Sequence, residues 1–120
     1  LQVPFLLREN VMAKNYIEDG QTMDWTNSTG ADVASGDPVS VGAMLGVAHA
    51  DIADGEDGVL HMTGVIALAK DEAESWSAGE KLYFDAESGN VSVTESDVVA
   101  GTAWADAETG DSDAPVRLGY

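Results

Sequence analysis

Turn signals interrupt this chain more often than a long helix could tolerate. Asn27-Ser28, Ser35-Gly36-Asp37, Asp54-Gly55, Asp57-Gly58, Ser88-Gly89-Asn90 and Thr109-Gly110-Asp111 punctuate the sequence. Gly accepts positive φ, and Asn, Asp and Ser bond their own backbone, so such runs reverse the chain. The apolar stretches between them suit strands. They predict strands at Gln21–Thr26, Pro38–Val41, Met44–His49, Gly58–Met62, Val65–Lys70, Lys81–Phe84, Asn90–Thr94, Val98–Ala105 and Val116–Leu118. In QTMDWT, Met23 and Trp25 share one face opposite Thr22, Asp24 and Thr26; in KLYFD, Leu82 and Phe84 oppose Lys81, Tyr83 and Asp85. That alternation fits antiparallel sheets with one wet face. One short helix is expected near 72–78, where Asp71 can cap, Glu74 holds the capping-box position and Gly79 can close. The expected architecture is all-β: one domain over 15–120, preceded by an arm over 1–14.

A faint internal echo runs through this pattern. SGDPV (Ser35–Val39) resembles AGEKL (Ala78–Leu82) at an offset of 43. GVAHAD (Gly46–Asp51) matches GTAWAD (Gly101–Asp106) at an offset of 55, and Gly55-Glu56 answers Gly110-Asp111 at the same offset. Two related halves, the second with a longer insert, would produce this. Gly46 and Gly101 would then mark bulges or close backbone approach.

Charge narrows the function. The chain has 22 Asp and Glu against 5 Lys and Arg, a net −17. Phosphate binding depends on Lys and Arg displacing counterions, so no nucleic-acid partner is expected, and an anionic membrane is disfavoured. With no cysteine, disulfides and thiolate metal sites are out of reach.

Catalytic constellations are sparse. No Gly-x-Ser-x-Gly elbow or Walker loop occurs. His49 and His61 stand apart without a metal-ligand spacing, so structural or surface roles are expected of them. The stretch DIADGEDG invites a calcium reading but lacks the Asp-x-Asp-x-Asp-Gly loop and its terminal Glu. Asp51, Asp54, Glu56 and Asp57 read instead as turn residues on a solvated face. The expectation is no enzyme, no metal and no cofactor. A calcium-binding acidic module and a hydrolase with paired carboxylates stay open as alternatives. Trp25, Trp76 and Trp104 read as core anchors first and interface residues second.

The ordered motifs resemble a known family. NYIEDG is followed by DWTNSTGADVASGDPV, a Gly-Val-Ala strand, DIADGEDG, GVIALAK, WSAGEKLYFDAESGNVS and a closing Val-Arg-Leu. From Met12 to Tyr120 the chain resembles the capsid decoration, or cement, proteins of tailed phages. The resemblance implies a small β-barrel or tulip-like domain, commonly a homotrimer, on the exterior of an icosahedral head. There it would clamp neighbouring major capsid protein subunits. A β module elsewhere in the virion, in tail or baseplate, is the alternative.

Ahead of that match lies LQVPFLL, uncharged on an acidic protein. It is too short to span a membrane and lacks the basic n-region of a signal peptide. Val3, Pro4, Phe5, Leu6, Leu7 and Arg8 are the expected contact with capsid or a neighbouring subunit, in an apolar groove or as an added strand. Folding back on its own domain, or a remnant preceding a start at Met12, are the other readings.

Overall fold

Every predicted run forms a strand in the computed structural model, which describes residues 15–119. In chain order these are β1 (Thr22–Thr26), β2 (Pro38–Val41), β3 (Met44–Ala48), β4 (Asp57–His61), β5 (Gly64–Ala69), β6 (Lys81–Asp85), β7 (Asn90–Ser92), β8 (Val98–Ala103) and β9 (Asp113–Leu118). They hydrogen-bond into one curled nine-stranded sheet. The expected alternation holds: Leu82 and Phe84 are buried while Lys81 and Asp85 are exposed.

The echo in the sequence is a duplication of structure. In the first half β1 pairs β4, β2 pairs β3, and β3 pairs β4. In the second half β5, β6, β8 and β9 repeat that scheme: β5 pairs β9, β6 pairs β8, and β8 pairs β9. All these pairings are antiparallel. The halves join through a parallel pairing of β3 with β8, where Met44 faces Val99, itself an offset of 55.

The connecting turns repeat bond for bond. Gly36 N–H donates to Ala48 O (2.9 Å) and Gly79 N–H to Ala103 O (2.8 Å); Ala48 N–H donates to Asp37 O (3.0 Å) and Ala103 N–H to Glu80 O (2.8 Å). A Val33–Ile52 bridge in one half answers a Trp76–Ala107 bridge in the other. The change of offset from 43 to 55 falls between Asp37 and Ala48, where the second half extends its excursion to add β7. That strand pairs with β6.

Two apolar cores result. The larger gathers Leu45, Val47, Leu68, Trp76, Leu82, Phe84, Val91, Val116 and Leu118 with small alanines. The smaller gathers Val39, Ala48, Ile52, Leu60 and Met62, with Met23 and Trp25 packed against it. Strand β3 lies between them, turning Leu45 and Val47 to one core and Ala48 to the other. At Gly101 (φ 149°) the β6–β8 register slips, Leu82 facing Gly101 but Tyr83 facing Val99. The bulge and the bare Cα let the Arg117 carbonyl approach β8 at a point where a Cβ would overlap it.

The expected helix near 72–78 does not form. Asp71 does accept the Ala73 N–H (3.0 Å), and Glu74 N–H reaches Asp71 O (3.2 Å). That single turn then stops. The Glu74 carboxylate does not return to the cap but crosses to Ser92 Oγ (2.9 Å), the Val93 N–H (2.8 Å) and Thr94 Oγ1 (3.0 Å). Trp76 is drawn into its extended bridge with Ala107. So short a segment cannot repay helix nucleation against such tertiary bonds.

Candidate functional site

The three tryptophans fall in three environments. Trp76 is buried in the larger core, its ring 5.1 Å from the Lys70 ammonium. Trp25 is partly buried on β1, facing Gly58 across the β1–β4 ladder. Trp104, just past β8, is 58% exposed. It belongs to neither apolar core.

Other apolar side chains are exposed as well. Met44, Val59 and Val65 are exposed on β3, β4 and β5. Where the two halves join, an open groove of about 460 Å³ is lined by Met44, Leu45, Met62, Val99 and Ala100, with Gly20 and Gly119 among its other lining residues. Gly20, ahead of β1, and Gly119, just after β9, therefore lie beside apolar surface. The predicted arm residues Val3, Pro4, Phe5, Leu6, Leu7 and Arg8 lie outside the described residues.

The acidic loops act as clasps. Asp51 Oδ1 accepts the Ser35 N–H (2.9 Å), and its counterpart Asp106 Oδ1 accepts the Ala78 N–H (2.8 Å). Asp37 takes the Ala34 N–H (3.0 Å) as Glu80 takes the Ser77 N–H (2.8 Å). Asp54 binds the Gly30 N–H (3.1 Å), and Thr26 Oγ1 donates to Asp57 (2.6 Å). Carboxylates so engaged hold exposed turn amides that would otherwise bond only to water. Before β1, the Tyr16 phenol donates to Asp19. That bond, with lesser help from burial and from repulsion by Asp19 and Glu18, pushes the phenol's ionisation above its ordinary range.

Two features escaped the sequence. Asn27 and Lys70, at an offset of 43, are both buried polar side chains. His49 and His61 meet across β3 and β4, Nδ1 to Nε2 at 2.8 Å. A cross-strand pair follows no fixed sequence spacing, so only the register could reveal it.

Comparison with known proteins gives one match. A family model described as phage cement protein covers residues 17–118, from just before β1 to the end of β9. No curated protein and no solved structure matches the chain.

Proposed function

The chain belongs to the phage cement protein family and is thus a structural component of the phage capsid; from that premise we propose that it decorates the outer surface of the head as a homotrimer and bridges neighbouring major capsid protein subunits. The observation that carries this reading is that the family match spans the whole described sheet, both halves included. Charge supports the outer location: a net −17 surface has no affinity for packaged DNA and keeps like particles dispersed.

Trp104 is the proposed trimer contact, because Trp76 and Trp25 are taken up by the two cores and Trp104 alone of the three stands in water. Val3, Pro4, Phe5, Leu6, Leu7 and Arg8 are the proposed contact with capsid. Burying four apolar side chains yields on the order of 6–12 kcal/mol. Ordering the arm at about 1–2 kcal/mol per residue offsets most of it. Three arms on one trimer act together, so contacts weak singly hold the assembly.

The test is co-sedimentation with capsid shells stripped of the protein, comparing the intact chain with one starting at Met12. Saturable binding at a fixed ratio to the major capsid protein is expected, with loss of affinity on truncation. If neither form pellets with shells, the decoration role fails. If both pellet equally, the role stands and the arm is not its contact.

A further inference from the structure

The only two histidines of the chain, twelve residues apart in sequence, are brought into direct contact at the solvent-facing ends of β3 and β4. His61 ends β4 opposite Val47. His49 follows β3 and is held beside β4 by its own N–H, which donates to Val59 O at 3.0 Å. The rings meet edge to face with centroids 4.9 Å apart. His49 is exposed and His61 partly so.

The duplication shows that the fold does not need histidines here. In the second half Trp104 N–H donates to Pro115 O as His49 does to Val59 O. Arg117 faces Thr102 as His61 faces Val47. The same backbone is thus built with Trp and Arg in place of two imidazoles. The pair is a local feature of the first half, not a requirement of its strands.

We propose that His49 Nδ1 and His61 Nε2 form a two-point chelate for a divalent transition ion of the zinc, nickel or copper class. Imidazole nitrogen selects these ions over calcium and magnesium, which take hard oxygen ligands. Tetrahedral zinc at 2.0–2.1 Å from each nitrogen would set the two nitrogens about 3.3 Å apart, so from their 2.8 Å contact the rings separate by about half an ångström and each swings by roughly 35° to aim its lone pair at the ion. In the free neutral pair one contacting nitrogen carries the proton and the other accepts it. On binding, that proton moves to the other nitrogen of its own ring, both contacting lone pairs go to the metal, and no net proton is released. Among the described residues no group of three His, Asp or Glu is assembled for a metal, so water completes the coordination and the site is open and exchangeable. The net charge of −17 enriches cations around it.

The experiment is a titration of the full chain with zinc chloride in excess magnesium, which occupies the carboxylates, followed by NMR of both imidazoles and by calorimetry. Both rings are expected to shift together at one ion per chain. His49→Gln and His61→Gln should each lower zinc affinity by at least about tenfold, since one ligand lost removes the chelate. Because both side chains lie at the surface, the melting temperatures of these variants without metal should match the parent. Rings that stay unmoved, or zinc binding undiminished in both variants, would overturn the proposal. So would a site that magnesium abolishes. The proposal is independent of the capsid role and can fail without it.

Discussion

Asn27 and Lys70 hold one place in the two halves of the fold. Asn27 Nδ2 donates to the carbonyl of Ala31 (2.8 Å) and Lys70 Nζ to that of Glu74, each four residues on. Their backbone N–H groups likewise reach the opposite loop, at Glu56 O (2.8 Å) and Ser112 O (2.9 Å). An amide and an ammonium thus plug the same turn. Asn27 completes its bonding with Ile52 O and the Thr29 N–H, both at 3.0 Å. Lys70 does so with Asp71 O (2.8 Å) and the Trp76 ring.

Lys70→Met keeps most of the stem but strips two carbonyls of their donor and Trp76 of its cation. The expected loss is about 2–4 kcal/mol of unfolding free energy. Asn27→Ala should cost about 2–3 kcal/mol for the same reason. Urea titration of the two variants checks both figures. A Lys70→Met protein as stable as the parent would show that the ammonium is not holding the turn.

The twin clasps make a matched pair. Asp51→Ala and Asp106→Ala each free one turn N–H, at a cost of about 1 kcal/mol. They share no hydrogen-bond partner, so the double variant should lose the sum to within about 0.5 kcal/mol. Denaturant melts of the three variants test this; a double variant far worse than the sum would mean that the halves unfold through one coupled turn.

The extent to which the sequence foretold these elements has a physical reason. Period-two alternation and turn residues are local signals, and they placed all nine strands. Only β9 starts well ahead of its prediction, because its first residues, Asp113–Pro115, alternate without strong apolar character yet pair with Ala67–Ala69 of β5. The GVAHAD and GTAWAD echo was legible because equivalent turns need the same small and acidic residues. The helix near 72–78 misled because a cap is local, whereas the bonds from Glu74 to Ser92 and Val93 reach 18 and 19 residues along the chain. The buried Lys70 and the His49–His61 contact depend on register, which single-residue patterns do not carry.

Gly46 and Gly101 are equivalent by offset but not by tolerance. At Gly101 an added Cβ meets the Arg117 backbone carbonyl at a φ of 149°. Gly101→Ala should therefore cost about 3 kcal/mol or more, or abolish soluble expression. At Gly46 the nearest obstacle is the Met62 sulfur, 2.7 Å away on a flexible side chain. Gly46→Ala should cost about 1–3 kcal/mol and leave the fold intact. Soluble yield and denaturation midpoints rank the two, and the reverse order would contradict the close approach at Arg117.

The Tyr16 phenol donates to Asp19, which favours its neutral form. Its raised ionisation means that this contact is fully present below the ordinary phenol range and is lost as pH rises through the shifted value. Asp19→Asn should bring the Tyr16 titration down toward that ordinary range, read from its ring resonances by NMR. An unmoved midpoint would show that Asp19 is not the partner.

Trp104 separates stability from assembly. Its side chain stands 58% exposed, so Trp104→Ser should leave the unfolding free energy of the subunit within about 0.5 kcal/mol. If the ring anchors the proposed trimer, the same change should weaken association by about 2 kcal/mol or more, close to thirtyfold. Sedimentation velocity across a dilution series reads this directly, since the variant should dissociate at concentrations where the parent stays assembled. Weakened trimers should also bind stripped shells less tightly, because three arms would no longer act as one ligand. A variant that assembles and binds shells like the parent would remove Trp104 from the interface. A variant that assembles normally but fails on shells would move it from the trimer contact to the capsid contact.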